Sequence, residues 1–269
     1  MRRNPLALVG AAILAVVLFC AVAGPLVAPY ERSERDVSRQ LEAPSADHLL
    51  GTGENGEDVL TEIVHGARVA VVVGLGAVLV SLFLGVGLGA VSGYFGGWID
   101  EVLMRVTEVM LSFPGILLAI LIIFVSQEPS VMTVIFALAV TGWAGYARLV
   151  RGQVLVEREK AYVEAARALG LPHWAILLRH VIPNVLGPVI VQATFGIASS
   201  ILAEASLSFL GLGPQDSASW GSLLDQGASY FLLTGHLALF PGLAIMVTVL
   251  AINFVGDALR DHLDPRTQT

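Results

Sequence analysis

The residues of this chain that could do chemistry are few, and their spacing argues against most of it. A phosphate-binding loop needs a lysine after a glycine to reach a nucleotide, and the single lysine, Lys160, follows Glu159. The six histidines, at positions 48, 65, 173, 180, 236 and 262, show no close ligand spacing, and the single cysteine, Cys20, adds none. No serine occupies a Gly-x-Ser-x-Gly elbow. No catalytic residue and no metal ligand is therefore assigned, and one cysteine allows no internal disulfide. What remains are polar groups set in apolar sequence. Glu204 is an acid well inside such a stretch, with Ser206 and Ser208 beside it. An acid within a membrane is functional by default, and two roles stay open for it: a packing hydrogen bond inside a bundle, or a group lining a polar path. The serines can also bond back to helix carbonyls. Asn253 and Asp257 stand four apart and Arg260 three beyond, so they share a helix face, either paired within the helix or lining a path. Glu204, Ser208 and Asn253 are the candidate path residues.

The elements that must carry these groups follow from composition. Hydrophobic residues make up 55% of 269, charged residues 14%, and mean hydropathy is +0.77. A soluble domain carries about a quarter charged residues. The apolar excess lies in long runs, each near the roughly 20 residues that a membrane-crossing helix needs, rather than in the short alternating segments of a transmembrane barrel. The sequence thus predicts an all-α polytopic membrane protein with six spans, near 5–28, 67–94, 102–125, 131–150, 185–212 and 237–254.

Ala21-Val22-Ala23 in the first run looks like a signal-peptidase site, but the apolar stretch continues to Val27, past the roughly 7–15 residues of a signal h-region. It is read as a retained anchor. Bulky Phe19 argues against lipid attachment at Cys20. Arginine placement sets the expected orientation. With both termini inside, eleven of fifteen basic residues fall on inner segments, and the loop 213–236 has no Lys or Arg. The opposite topology would put the basic 148–180 stretch outside. The net charge of −7 is spread too unevenly to identify partners.

Glycines at 85, 89, 93 and 97 recur every fourth residue, a smooth stripe that lets another helix approach closely; Gly96-Gly97 also fits local permissiveness at a helix end. Glu101, Arg105 and Glu108 share one face, which fits a membrane-edge position with mutual pairing or a crevice between helices, because bare charges at mid-membrane cost about 2.5–3.5 kcal/mol each. Pro114 is expected to bend the third span, whereas Pro241 needs only helix-start chemistry.

The longest inner polar segment, 151–184, reads Glu164-Ala165-Ala166-Arg167-Ala168-Leu169-Gly170-Leu171-Pro172. Alanine-rich sequence favours helix, Gly170 suits the left-handed residue after a helix end, and Pro172 suits the first turn of another. Two short helices joined by an elbow at Gly170 are expected, with small alanines and a few charges turned outward.

Glu164-Ala165-Ala166, three residues, Gly170, then Ile182-Pro183-Asn184 resembles the signature loop of permease subunits in bacterial and archaeal ABC importers. The segment Leu50-Gly51-Thr52-Gly53-Glu54-Asn55-Gly56-Glu57-Asp58 before the second span, Glu204-Ala205-Ser206-Leu207-Ser208-Phe209-Leu210-Gly211 in the fifth, and Asn253-Phe254-Val255-Gly256-Asp257 with Leu263-Asp264-Pro265-Arg266 at the end narrow the resemblance to the second (C-type) permease of the dipeptide/oligopeptide/nickel branch. His180 departs from the wider family, which usually has an apolar residue two before the Ile-Pro pair, although Arg179-His180-Val181-Ile182-Pro183-Asn184 resembles the branch; Gly53 stands where the branch usually has Asp and Glu57 where it usually has Arg.

The resemblance implies a type I ABC importer transmembrane fold. It divides the chain into an anchoring helix (1–29), an extracytoplasmic segment (30–66), a permease core (67–260) with a cytoplasmic coupling loop (151–184), and a cytoplasmic tail (261–269). Glu164, Ala165, Ala166, Arg167, Gly170, Leu171 and Pro183 would couple to ATPase subunits. The implied partners are a paralogous permease, two cytoplasmic ATPases that bind ATP and Mg, an extracytoplasmic substrate-binding protein and the lipid bilayer, with no nucleic acid; this chain would bind no cofactor itself. Uptake of di- or oligopeptides across a bacterial or archaeal cell membrane is the expected function. An ion-gradient-driven secondary transporter would instead predict internal repeats and several deep ionisable groups, and a non-transporting scaffold or sensor is the other alternative.

Overall fold

The computed structural model describes residues 5–263. Arg2, Arg3 and the end of the chain from Asp264, including Arg266, lie outside the described residues, so the roles assigned to them in orientation and in the tail stay with the sequence. Helices dominate: α1 (Pro5–Val27), α2 (Val59–Phe95), α3 (Gly97–Ser112), α4 (Gly115–Ser126), α5 (Val131–Glu157), α6 (Ala161–Ala168), α7 (His173–Ile176), α8 (Ile182–Phe209), α9 (Trp220–Ser229) and α10 (His236–Leu263). Among the described residues the one extended pairing is an isolated bridge between Thr52 and Asp58.

Five helical runs are long and apolar enough to cross a membrane, and α3 with α4 makes a sixth if counted together. The third expected span is therefore more than bent. It breaks at Phe113-Pro114, and its halves meet at 87°. Pro114 lacks an N–H and disfavours helical geometry in the residue before it; Phe113 is accordingly extended (φ −91°, ψ 139°).

α2 is the central post, flanked by α1, α5 and α8. It starts eight residues before the expected span because Asp58 caps it, accepting from the Thr61 N–H at 2.8 Å. Its 37 residues extend about 55 Å, well beyond a hydrocarbon layer of about 30 Å. The glycine stripe seats it on α5. A Cβ at Gly85 would lie 2.5 Å from the Tyr146 Cβ, one at Gly89 would strike the Ala147 carbonyl, and one at Gly93 would lie 2.9 Å from the Arg151 carbonyl. Gly97 does not continue this groove: it has open space around it and φ +57°, next to Gly96 at φ +67°, so these two shape the α2–α3 turn.

α1 runs antiparallel along α10, with Gly10 against Ala251 and Phe254. Residues 5 and 263 thus lie at one end of the bundle, together with α6; the 28–58 segment and the 210–235 loop lie at the other. Pro241 sits in the second turn of α10, inside the helix rather than at its start.

Candidate functional site

The segment from Arg158 to Asn184 forms a knuckle on the α6 end. α6 closes with paired backbone bonds, Gly170 N–H to Arg167 O at 2.9 Å and Leu171 N–H to Ala166 O at 3.3 Å. Gly170 has φ +77°, the left-handed geometry such a stop requires. Pro172 is extended and precedes α7 instead of lying in its first turn. The second helix is not a separate short one. α7 runs through a widened turn, Leu177–Val181, straight into α8. Pro183 supplies the reason: with no N–H and a ring that crowds the carbonyl four residues back, it is accommodated by i→i−5 spacing, as in the Ile182 N–H to Leu177 O bond.

The knuckle's inner face differs from the expectation that its alanines point outward. Ala166 is buried at 4% exposure, packed with Val163, Ile176 and Leu177 against Val150, Val154 and Tyr94. Helical periodicity permits one inward face, and Val163 with Ala166, three apart, occupies it. Glu164, Ala165, Arg167, Leu171 and Pro183 are exposed, and Leu169 is 81% exposed at the tip.

Contacts that the sequence did not reveal bolt this knuckle down. Arg158 donates to the Gly93 carbonyl at 2.7 Å, neutralising the end of α2 where carbonyls lack helix partners. Tyr162 donates to Glu157 at 2.6 Å, Lys160 pairs with Glu157 at 2.7 Å, and Asn184 donates to the Tyr162 hydroxyl at 3.3 Å. Burial, with the Glu157 carboxylate beside it, pushes the Tyr162 phenol up to about 12, so it remains a donor. Arg167 lies over the Tyr94 ring, 5.6 Å from its centre, a cation–π contact. The Tyr94 hydroxyl lies 3.2 Å from His173 Nδ1, and Phe95 tilts against Trp174. Asp100 accepts two bonds from Arg151, at 2.6 and 2.7 Å, and one from Ser92 at 2.5 Å, joining α3, α5 and α2. Arg105 pairs with Glu108 at 3.1 Å, both highly exposed, so this pair faces outward and not into a crevice of this chain.

The candidate path residues are placed apart. Glu204 is 2% exposed and accepts from Ser208 at 2.7 Å and from Ser219, the residue capping α9, at 2.8 Å. This links α8 to α9, which Gly221 seats on the Ala205 backbone and Trp220 ties to the Ile63 carbonyl at 2.9 Å. The geometry supplies the packing role for Glu204 and Ser208. Asn253 is half-buried on α10, and exposed Asp257 and Arg260 form no ion pair with each other among the described residues. Among the described residues no group of His, Cys, Asp and Glu is arranged to hold a metal.

At the other end, Glu57 is buried at 6%, its carboxylate filling the space a side chain at Gly53 would need and accepting from the Asn55 N–H at 2.9 Å. Glycine at position 53 leaves the room that the Glu57 carboxylate occupies.

Residues 85–269 match the family described as the binding-protein-dependent transport system inner membrane component, and residues 1–44 match the N-terminal transmembrane domain of oligopeptide transport permease C. The chain belongs to this permease family. A dipeptide transport system permease of Alkalihalophilus pseudofirmus is 40% identical, over 100% of this chain and 88% of that protein. A glutathione transport system permease of Pectobacterium atrosepticum is 40% identical over 96% and 87%, and an oligopeptide transport system permease of Bacillus subtilis 36% over 98% and 87%. The permease fold matches a chain of a methionine ABC transporter solved in inward-facing conformations, with TM-score 0.63, 18% identity, and coverage of 76% of this chain and 96% of that one. An amino acid ABC transporter matches with TM-score 0.58 and 18% identity over 75% and 94%. The permease is therefore a polytopic membrane protein with the type I ABC importer transmembrane fold, a transport component rather than an enzyme.

Proposed function

We propose that this permease imports di- or oligopeptides, forming half of a translocation pathway with a paralogous permease. An extracytoplasmic binding protein delivers peptide to the 28–58 and 210–235 end, and two cytoplasmic ATPases that hold ATP and Mg drive the α6 end. Both termini are then cytoplasmic. The observation that carries this reading is the knuckle: a helix stop at Gly170 with exposed Leu169 and Leu171, fixed to α2, α5 and α8. A push on such a rigid knob is passed to the spans instead of being absorbed by a loop. Nucleotide-driven closure of the ATPases would then bias two arrangements of the spans, as alternating access requires. Glu164, Ala165, Arg167, Gly170 and Leu171 form the docking surface. Ala166 supports it from within, and exposed Pro183 sets the widened turn beside it. The peptide substrate is supported by relatives at 36–42% identity named for dipeptide and oligopeptide transport.

The test is co-purification. Leu169→Glu is expected to insert normally but to lose the bound ATPase subunits and at least tenfold of peptide uptake. Retention of both by this variant would remove the knuckle from the coupling pathway.

A further inference from the structure

Two cavities open on the wall between α5 and α8. One, of about 310 Å³, is lined by Ser81, Thr141, Tyr146, Ser199 and Ser200; the other, of about 700 Å³, runs toward Lys160 and Arg260 at the α6 end. Gln192 is the one residue lining both. It stands about 15 Å along α8 from Ile182, at a depth that belongs to the hydrocarbon layer.

Ser81 and Thr141 bond to the Ala139 and Leu138 carbonyls at 3.3 and 3.0 Å, but four other polar groups of this wall are unpaired. Gln192, Ser199 and Ser200 make no hydrogen bond among the described residues, whereas Ser206 on the same helix bonds back to the Leu202 carbonyl at 2.8 Å. Tyr146 is 6% exposed, yet its hydroxyl has no partner among the described residues; it lies against Gly196, on the wall of the smaller cavity. An amide or hydroxyl facing lipid would stay unsatisfied at a heavy free-energy penalty, so this wall meets water or a polar solute. The smaller cavity has no charged side chain in its lining, and uncharged donors and acceptors match main-chain amides.

We propose that the wall around Gln192 is where the main-chain amides of a passing peptide hydrogen-bond to this chain, with Gln192, Tyr146, Ser199 and Ser200 as the contacting groups. This rests on the peptide-importer reading and assigns to it a surface and the part of the substrate that the surface reads. Contacts to main chain alone would let many side chains through, leaving sequence preference to other components.

The assembled transporter, with its ATPases and binding protein in proteoliposomes, tests this in two arms. In the first, Gln192→Cys and Ser199→Cys are made in a Cys20→Ala background and treated with a charged, membrane-impermeant thiol reagent. Both are expected to react, at rates that change severalfold on nucleotide trapping, while Val16→Cys, midway along α1 and 62% exposed, stays inert. In the second, uptake of trialanine is compared with that of its N-methylated analogue. Gln192→Leu is expected to lower trialanine uptake tenfold or more, to keep stimulated ATP hydrolysis, and to flatten the preference for unmethylated peptide; Gln192→Asn should restore part of each. Unreactive cysteines, or unchanged uptake and preference in Gln192→Leu, would overturn the assignment. Failure of the wild-type complex to import trialanine would instead sink the peptide-importer reading, with the labelling arm still deciding whether this wall is wet.

Discussion

The Asn184 side chain reaches back one turn and donates to the His180 carbonyl at 2.6 Å. That bond supplies a donor to the turn widened ahead of Pro183, and the same amide holds Tyr162, so Ile182-Pro183-Asn184 acts as a clasp between the knuckle and α8. Asn184→Leu and Tyr162→Phe should each remove roughly 1 kcal/mol of local stabilisation. The expected result is continued ATP hydrolysis with severalfold less uptake, read as the ratio of the two in the reconstituted complex. An unchanged ratio in both variants would show that the clasp does not stiffen the knuckle.

Ala166 and Gly170 should fail differently. Ala166→Leu overfills a packed interior, at about 1–3 kcal/mol, and is expected to lower the Tm of the detergent-solubilised complex. A Cβ at Gly170 enters open space, so Gly170→Ala costs about 1 kcal/mol, for its left-handed backbone alone. A reversed order of Tm losses would mean that Ala166 faces outward.

Gly89→Leu must push α5 away from α2, because even a Cβ there meets the Ala147 carbonyl. Close backbone approach is what holds helices together in lipid, so little folded protein is expected in the membrane. Gly87→Ala, on the same helix with nothing near it and no left-handed backbone, should accumulate close to normally. Fluorescence-detected size exclusion compares the two directly.

Glu204→Gln keeps an acceptor for Ser208 and Ser219 and should sustain uptake, whereas Glu204→Leu leaves both hydroxyls without it, a loss of about 1–3 kcal/mol. A Glu204→Gln variant of normal stability and no uptake would show that transport needs the negative charge.

Asp36 accepts from the Ser38 hydroxyl at 2.6 Å and from its N–H at 3.0 Å, and these bonds hold its carboxyl below the ordinary 3.8. A lowered carboxylate pKa stabilises fully above the ordinary value and loses that contribution as pH falls through the lowered one. Hydrogen exchange at the Ser38 amide, corrected for intrinsic rate, should therefore be flat above about pH 5 and accelerate in more acid solution. Acceleration beginning near neutrality would implicate another group.

Features set by neighbours along the chain were readable in the sequence. Runs of apolar residues gave five long crossings and the apolar α3–α4 pair, the spacing of Gly85, Gly89 and Gly93 gave a close helix contact, and Gly170 gave a helix stop, because hydrophobic length, helical period and left-handed backbone are local properties. Partnerships across the bundle were not readable. Arg151 meets Asp100 across 51 residues, Ser219 meets Glu204 across 15, and Arg158 meets Gly93 across 65. The inward turn of Ala166 and the shared wall around Gln192 belong to the same class. A helix pattern tells which residues share a face, but the rotation of that face toward one neighbour or another is fixed only when ridges and grooves of several helices are packed at once.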